Sequence, residues 1–544
     1  MKHMTKIIAA TLLMLSAPAA GQQDVDSAGT NEVKKQPVQL TGLKADAVHE
    51  VEGMKKLTQE IVDTLFSFSE LGFHEFETQN YLTKLLEENG FTVEKGVSGM
   101  PSSWWATWKS NTPGGPVIAL GSDVDGIPKS SQKPGIAWRE PLVEGAPGHG
   151  EGHNSGQGVN ITAALAVKAI MEKQNLPGTI VIWPGIAEEL VGAKAYFARD
   201  GRFSGVDAVL FTHVSNNLAT SWGNPRGTGL VSVEYSFDGI AAHGAGDPWK
   251  GRSALDAVEL MNVGWNFRRE HLRPLQRSHY VIVDGGDQPN VVPAKATAWY
   301  FVREITADRI RENFDTLHRI AEGAAMMTDT KMSRRIVGSA WPRHFNKPIA
   351  LRMDENIKAV GLPEWDEKDQ TYAKALQKLM GADEPKGLAT ELKGLQEPPE
   401  KPISGGSDDI GDVSWVVPTV TLRFPSNVRG LQGHHWSSAM TMATPIAHKG
   451  ATAGAKVIAT TMLDLLQEPE LLEDARTYFK DEQLKGITYE PFISADDKPA
   501  KEKNAEIMAR FKPALRKFYY DADKYDTYLE QLGIDYPMLE KPKN

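Results

Sequence analysis

The feature that most constrains the fold is an alternation of short apolar segments with longer helical patterns. Three apolar runs, at 115–126, 178–185 and 206–214, have the composition of strands buried on both faces. A helical pattern covers 159–174, and others cover about 48 to 89, before the first strand. Strands that alternate with helices form a mostly parallel sheet covered on both sides. The sequence therefore predicts a doubly wound α/β domain.

A different pattern interrupts this alternation between residues 226 and 343. Strand, helix, strand, strand, helix and strand follow one another, which is the βαββαβ order of a ferredoxin-like unit. We assign these six elements to 230–239, 253–271, 279–286, 295–304, 306–327 and 331–341. Because the unit is complete in itself, we predict an inserted domain at 226–343. The two parts of the doubly wound domain then occupy 46–225 and 344–467, the second ending in a helix at 447–466.

The two ends of the chain differ from this central part. Residues 1–21 combine two lysines, a short apolar run and a small-residue cleavage sequence, the pattern of a cleaved signal peptide. A frayed or buried N-terminal helix is the alternative. We expect a polar linker over 22–45 and a charged helical extension without chemistry over 468–544. The signal peptide predicts export, with the periplasm as the expected location.

Composition removes several classes of function. The 544 residues include no cysteine, so disulfides, thiolate metal sites and cysteine nucleophiles are excluded. The formal charge of −10, without a compact basic block, argues against a nucleic-acid partner. After residue 21 we find no apolar run long enough for a bilayer span, so no membrane partner is expected. A serine hydrolase lacks its usual nucleophile position, because no G-x-S-x-G sequence occurs.

Acidic side chains and a histidine stand at the ends of the predicted strands. Asp123 and Asp125 end the first strand, Glu188 and Glu189 follow the second, and His213 ends the third. Ligands of an open α/β sheet gather beyond the carboxyl ends of the strands, so we expect these groups to meet at one edge. Each also has an ordinary structural explanation, as a turn-capping aspartate, a solvated glutamate or a core histidine.

The loop before the helix at 159–174 adds further ligand types. Its sequence GHGEGHNSG contains His149, Glu151, His153 and Asn154, although its glycines alone are also typical of a flexible turn. Neighbouring carboxylates repel one another by about 1–4 kcal/mol per close pair, and a cation between them removes this penalty. Nitrogen and oxygen donors without thiolates favour Zn²⁺ or Mn²⁺. We therefore predict a divalent metal site.

Eight stretches of the chain resemble one family, the zinc peptidases and amidohydrolases that include aminoacylases and glutamate-releasing carboxypeptidases. They are ELGFHEFET, DVDGIP, GAPGHGEGHN, the Glu-Glu pair, GIAAHGAGDPWKGRSALDAVELM, PNVVPAKA, SDDIGDVSW and HHWSSAMTMATPIAHKG, in family order from about 50 to 467. The resemblance implies a catalytic α/β domain interrupted by a ferredoxin-like lid that dimerises. It also implies hydrolysis of N-acyl or N-aroyl amino acids, such as p-aminobenzoyl-glutamate, or of dipeptides.

The resemblance further implies roles for individual residues. Glu188 matches the catalytic base, and Asp125 matches an aspartate that orients a metal ligand. His243 resembles a lid residue that reaches into the active site of the partner subunit, and Asn290 resembles a second lid residue near the substrate. Asp123 stands where many relatives have a ligand histidine, so its role is left open. Four residues match metal ligands of the family: His153, Glu189, His213 and His434.

One position departs from the family pattern. Glu151 stands where the most similar branch carries a cysteine thiolate that bridges two metal ions. A carboxylate offers one oxygen to each ion, and Zn–O distances of about 2.0–2.2 Å are shorter than the Zn–S distance of about 2.3 Å. We expect Glu151 to bridge two ions, Zn or Mn. The alternative is that Glu151 disrupts the site, which would make the chain a catalytically impaired, exported binding protein on the same fold.

Two features have competing interpretations. Arg303, at the end of a lid strand, could pair with a substrate carboxylate, but we favour a surface salt bridge. Trp104, Trp105 and Trp108 could line a pocket for an aromatic group, but we favour core packing. The action of His243 across a subunit boundary in relatives predicts a homodimer, or a larger oligomer, that forms through the lid.

Overall fold

The computed structural model describes residues 40–401 and 403–542. The predicted signal peptide and most of the predicted linker lie outside the described residues. The described chain forms one eight-stranded, mostly parallel sheet and one four-stranded antiparallel sheet. The prediction of a mostly parallel α/β domain with an inserted ferredoxin-like unit is confirmed. None of the described helices has the length and apolar character needed to cross a membrane.

Strands and longer helices follow one another in the order that their numbers give. The strands are β1 (Thr92–Lys95), β2 (Trp104–Lys109), β3 (Val117–Asp123), β4 (Thr179–Gly185), β5 (Ala208–Ser215), β6 (Ala219–Ser221), β7 (Gly229–Asp238), β8 (Arg277–Asp284), β9 (Lys295–Glu304), β10 (Lys331–Ala340), β11 (Gly394–Gln396) and β12 (Thr419–Pro425). The helices are α1 (Leu43–Gly53), α2 (Lys55–Phe68), α3 (Phe76–Glu88), α4 (Gly156–Gln174), α5 (Lys194–Arg199), α6 (Ala254–Arg269), α7 (Ala307–Thr328), α8 (Lys347–Val360), α9 (Glu367–Leu379), α10 (Ile410–Ser414), α11 (Trp436–Ala439), α12 (Pro445–Gln467), α13 (Pro469–Thr477), α14 (Ala505–Leu515) and α15 (Tyr528–Gln531).

The large sheet has the strand order β1-β2-β4-β3-β5-β12-β6-β11. Its centre is parallel, because β3 pairs in parallel with β4 and β5, and β5 pairs in parallel with β12. The three strands predicted from the sequence are therefore neighbours, and their carboxyl ends share one edge of the sheet. The antiparallel strands β1 and β2 were not predicted. Strand β2 carries Trp104 and Trp108, whose burial supports the core-packing interpretation of these tryptophans.

The inserted unit is the sheet β10-β7-β9-β8 with helices α6 and α7 packed against it. All its strand pairs are antiparallel. Each helix begins at a residue whose hydroxyl accepts a backbone hydrogen bond, Ser253 for α6 and Thr306 for α7. We call this unit, residues 229–340, the lid.

The C-terminal residues after α12 form helices, and they also contribute side chains to the core, which the charge pattern did not predict. Tyr528 is fully buried, and its ring packs 5.9 Å from that of Phe66 and 6.0 Å from that of Tyr520. The backbone N–H of Tyr528 donates to Asp63 Oδ2 at 3.0 Å. The packing was not predicted because a few aromatic residues, spaced between many charges, hold the segment on the core without leaving an apolar pattern in the sequence.

We predict that Tyr528→Ala lowers the free energy of unfolding by about 3–5 kcal/mol, because it leaves a cavity in the core. Urea denaturation of the purified variant measures this loss. The matched control is Tyr525→Ala, since the side chain of Tyr525 is 37% exposed in the same segment. Equal, small effects of the two substitutions would contradict the packing described here.

Candidate active site

Strand register brings the predicted ligands to one edge of the large sheet. Asp123, the last residue of β3, pairs with Gly185 at the end of β4, and its neighbour Ser122 pairs with Thr212 in β5. His213 directly follows Thr212, so the side chains of Asp123 and His213 reach the same edge. The Glu188–Leu190 turn follows β4 and adds two carboxylates. Parallel pairing thus produces the convergence that the sequence predicted.

The turn that carries Glu188 has an unusual backbone and depends on two earlier residues. Ala187 and Val191, which flank the turn, both have left-handed backbone angles, with φ of 50° and 47°. The backbone N–H of Ala187 donates to Glu75 Oε1 at 2.8 Å. Gly72 lets this turn approach closely, because a Cβ there would lie 2.7 Å from the Cα of Ala187. Gly72 and Glu75 both lie in ELGFHEFET, one of the stretches that resemble the family, but the sequence analysis assigned them no role.

His153 occupies the centre of the ligand cluster. Its Nδ1 lies 3.4 Å from Asp125 Oδ1 and 3.9 Å from Glu189 Oε1. The rings of His153 and His213 are 5.2 Å apart and nearly perpendicular. Asp125 also accepts a hydrogen bond from the backbone N–H of Glu189 at 3.1 Å. Asp125 therefore holds both the histidine and the glutamate, in keeping with an orienting role.

The remaining two ligand candidates join the cluster from the other side of Glu189. His434 Nε2 lies 3.4 Å from Glu189 Oε2 and 3.8 Å from Glu151 Oε2. The five predicted ligands therefore form one continuous group, although they come from four separate parts of the chain. Their order in space is Glu151, His434, Glu189, His153 and His213.

The chemistry of this cluster fits a divalent cation. Among the described residues, several buried polar atoms here have no hydrogen-bond partner, including both ring nitrogens of His153, Glu189 Oε1 and Asp123 Oδ2. Each unpaired buried group costs about 1–3 kcal/mol, a cost that metal coordination removes. Ligand atoms of Asp123, His153 and His213 lie within 4.8 Å of one another, as do those of His153, Glu188 and Glu189. Nitrogen and oxygen donors suit Zn²⁺ and Mn²⁺.

The pKa shifts of groups in the cluster also indicate a place for a cation. Burial raises the pKa of Glu188 well above its usual value, and the negative charges of Asp123 and Asp408 add to this. Burial alone would lower the pKa of His153, but contact with Asp125 and the charge of Asp123 hold it well above its usual value. Burial is the larger cause for Glu188, and for both groups the surrounding negative charge favours the protonated form. A cation bound here would balance this negative charge.

A lysine that sequence reasoning missed supplies one fixed positive charge. Lys194 is fully buried, and its Nζ donates to Asp123 Oδ1 at 2.6 Å and to Asp409. The other oxygen of Asp409 accepts the backbone N–H groups of Ala193 and Lys194. Asp123 therefore lies between Lys194 and the candidate ligands His153 and His213, and its Oδ2 has no hydrogen-bond partner among the described residues. The stretch SDDIGDVSW, which contains Asp409, was the available sequence signal for this contact.

A cleft of about 430 Å³ opens over Glu188, Glu189 and His434. Arg303 lines it, and its Nη1 donates to Ser407 Oγ at 2.9 Å. The interpretation of Arg303 as a surface salt bridge is wrong, because the side chain is partly buried and bonds to a hydroxyl instead of a carboxylate. The cleft therefore contains a cation beside the predicted catalytic base.

The two lid residues lie apart from the cluster, on an exposed edge of the lid. His243 forms a bridge with Val291, and the carbonyl oxygen of Asn290 accepts the backbone N–H of Gly244 at 2.8 Å. His243 Nδ1 accepts the backbone N–H groups of residues 245 and 246 at 3.1 and 3.0 Å. An accepting Nδ1 leaves the proton of the neutral ring on Nε2, which makes Nε2 a donor. Within this one chain, the structure does not bring His243 or Asn290 to the ligand cluster.

Comparisons with known proteins agree with this geometry. Residues 228–326 match the family described as "Peptidase dimerisation domain". The chain is 31% identical over 451 residues to one of the subunits of the p-aminobenzoyl-glutamate hydrolase of Escherichia coli (strain K12), covering 78% of this chain and 92% of that protein. It is 25% identical over 451 residues to Xaa-Arg dipeptidase of Mus musculus, covering 81% and 93%.

A solved structure, the aminobenzoyl-glutamate utilization protein from Klebsiella pneumoniae, shares the fold with a TM-score of 0.50 at 17% identity. The similarity covers 76% of this chain and 97% of that one. The family that the sequence motifs indicated is confirmed by the extent of these matches. This chain belongs to the M20 family of metal peptidases and amidohydrolases, and it is a metal-dependent hydrolase of amide bonds.

Proposed function

We propose that the chain hydrolyses the amide bond of N-acyl or N-aroyl amino acids, p-aminobenzoyl-glutamate among them, or of dipeptides. The observation that carries this proposal is the position of Glu188 beside the ligand cluster in a cleft that also contains the Arg303 cation. The relatives are named for an aroyl-glutamate and for Xaa-Arg dipeptides. Both substrate types place a carboxylate near the amide bond that is broken.

The metal requirement is proposed to be two divalent ions, Zn or Mn. In this arrangement Glu151 replaces the bridging thiolate of relatives, and its distance of 3.8 Å from His434 Nε2 supports a place in the site. A divalent ion supplies Lewis acidity here, lowering the pKa of a water toward 7 and polarising the amide carbonyl. The residues that would hold the ions are Glu151, His153, Glu189, His213 and His434.

Glu188 is proposed to carry the proton during hydrolysis. Its carboxylate takes a proton from the attacking water and passes it to the nitrogen of the leaving amine. Burial and neighbouring negative charge raise the pKa of Glu188, which makes its carboxylate a stronger base toward the water proton. Its neighbour Glu189 lies beside the candidate ligand histidines. In this proposal Glu188 therefore transfers the proton, and Glu189 binds metal.

Arg303 is proposed to bind the substrate carboxylate. Guanidinium groups form paired hydrogen bonds with carboxylates, and the partly buried position of Arg303 weakens competition from water. Its present partner, Ser407, is neutral and leaves the charge of Arg303 without a carboxylate. A carboxylate bound there would lie in the same cleft as Glu188.

The active enzyme is proposed to be a homodimer that forms through the lid. Strand β8 is an edge strand, and it exposes Val281, Ile282 and Val283, which are 43–57% accessible. Exposed apolar edge strands tend to pair with another chain. The exposed His243 would then reach the active site of the partner, where Nε2–H would stabilise the oxyanion of the tetrahedral intermediate.

We also propose export of the enzyme, because residues 1–21 have the sequence pattern of a signal peptide.

The first prediction concerns the catalytic base. Glu188→Gln should lower kcat by about 10²- to 10⁴-fold, because the amide cannot transfer the proton. Metal content and thermal stability should be unchanged, and Glu172→Gln on the exposed side of α4 should retain full activity. A near-normal rate for Glu188→Gln would remove Glu188 from this role. If wild-type protein does not hydrolyse acyl amino acids, or hydrolyses them equally well with a chelator present, the result favours the alternative of a catalytically impaired binding protein.

The second prediction concerns the metal content. Elemental analysis of dialysed wild-type protein should find two ions per chain, the number that a bridged site holds. Glu151→Ala should lower this number to about one, because the bridge is lost. Glu144→Ala, an exposed carboxylate in the same segment, should have no effect. Equal metal content in the two variants would show that Glu151 is not a ligand.

The third prediction tests action between subunits. His243→Ala and Glu188→Gln should each be nearly inactive, but their co-expressed mixture should recover about a quarter of wild-type activity. Half of the dimers are then mixed, and each mixed dimer has one site with Glu188 in place and His243 from the other subunit. The double variant, expressed alone, is the control and should stay inactive. A mixture no more active than its parents would contradict action across the dimer.

A further inference from the structure

The C-terminal strap, residues 489–518, crosses from the lid to the catalytic domain. On the lid side, Glu502 pairs with Arg335 of β10 at 2.6 Å. Lys503 pairs with Glu234 of β7, and its Nζ lies 4.5 Å from the centre of the Trp299 ring on β9. The strap therefore contacts three of the four lid strands.

The same strap is held on the catalytic domain by charged contacts. Lys512 of α14 lies 2.9 Å from Glu70 and 3.2 Å from Glu77. Glu70 is buried and also accepts the backbone N–H groups of residues 77 and 78. Arg516 adds a second contact with Glu77 at 2.9 Å. These contacts and those with the lid lie on the two sides of Asn504 in the chain, and together they determine where Asn504 is placed.

Asn504 is the strap residue that reaches the active-site cleft. It lines this cleft together with Glu188 and His434. Its backbone is left-handed, with φ of 66°, a conformation that asparagine adopts more readily than most residues. Asn504 precedes α14 in the capping position, yet its side chain makes no capping hydrogen bond. The amide oxygen that would normally cap the helix is therefore free for another partner.

The orientation of the Asn504 amide follows from its one hydrogen bond. Nδ2 donates to the carbonyl oxygen of Gly72 at 3.2 Å, and a carbonyl can only accept. This contact fixes which end of the amide is nitrogen and leaves Oδ1 as an acceptor at the cleft. Leu71 and Ile127 contribute apolar surface to the same cleft, while Arg303 contributes the cation. Asn504 thus adds a neutral hydrogen-bond acceptor, which neither the apolar side chains nor the guanidinium group supplies.

We propose that Asn504 is a specificity-determining residue, whose Oδ1 accepts a hydrogen bond from an N–H donor on the acyl half of the substrate. This inference rests on the proposed function, in which Arg303 binds the carboxylate of the other half. The substrate class is then an amide whose acyl group carries an amine, such as an aromatic amine or the free α-amino group of a dipeptide. Acyl groups without an amine make no use of Asn504.

The test compares matched substrates that differ only in this amine. The pairs are p-aminobenzoyl-glutamate against benzoyl-glutamate, and alanyl-arginine against propanoyl-arginine, which lacks the α-amino group. For Asn504→Ala, kcat/KM should fall by about 3- to 10-fold for the amine-bearing member of a pair and stay within twofold for the other, the loss expected for one hydrogen bond. Glu506→Gln, an exposed residue of the same helix, should change neither value.

The outcomes separate the two proposals. Wild-type protein that hydrolyses neither pair contradicts the proposed function, and this inference falls with it. Active wild-type protein with an unchanged ratio in Asn504→Ala, or with an equal fall for both members of a pair, overturns the role of Asn504 alone. Metal content of Asn504→Ala should match that of wild type, and its melting temperature should fall slightly, because alanine is strained at a φ of 66°. The member of each pair without the amine controls for this loss of stability.

Discussion

The structure depends on concentrated negative charge at the carboxyl edge of the parallel sheet. Asp123, Asp125, Glu188 and Glu189 all arrive there because parallel strands end on the same side. Buried carboxylates are tolerated only when cations or hydrogen-bond donors balance them. The fully buried Lys194 balances Asp123 and Asp409, and the other carboxylates lie among the candidate metal ligands, where divalent ions would balance them. The site therefore combines the permanent cations Lys194 and Arg303 with oxygen and nitrogen donors suited to divalent ions.

The lid and the C-terminal strap complete the cleft above this charged edge. The lid contributes Arg303, the catalytic domain contributes Glu188, and the strap contributes Asn504. Because the strap pairs with the lid through Lys503 and with the catalytic domain through Lys512, it links the two walls of the cleft. The charged residues of the predicted helical extension are, in the folded chain, the source of these ion pairs.

Much of the fold and of the candidate site could be predicted because the relevant signals are local. The strands at 115–126, 178–185 and 206–214 are continuous apolar runs, and the lid follows a recognised order of elements. The ligand histidines and carboxylates lie in short motifs beside those elements. Strands β1 and β2, at one end of the sheet, were missed because short strands of mixed composition have no comparable run. The supports of the Glu188 turn, Gly72 and Glu75, were missed because a close approach leaves no periodic pattern.

The sequence by itself determined the kinds of element, their order and the chemical types of the ligands, since periodicity, turn residues and side-chain chemistry are properties of neighbouring positions. Only the tertiary structure decided which distant residues meet. Lys194 contacts Asp123 across 71 positions and Asp409 across 215, and Asn504 contacts Gly72 across 432. Such contacts arise when separate elements pack together in three dimensions. Their energy depends on burial and distance in the folded chain, neither of which the order of residues encodes locally.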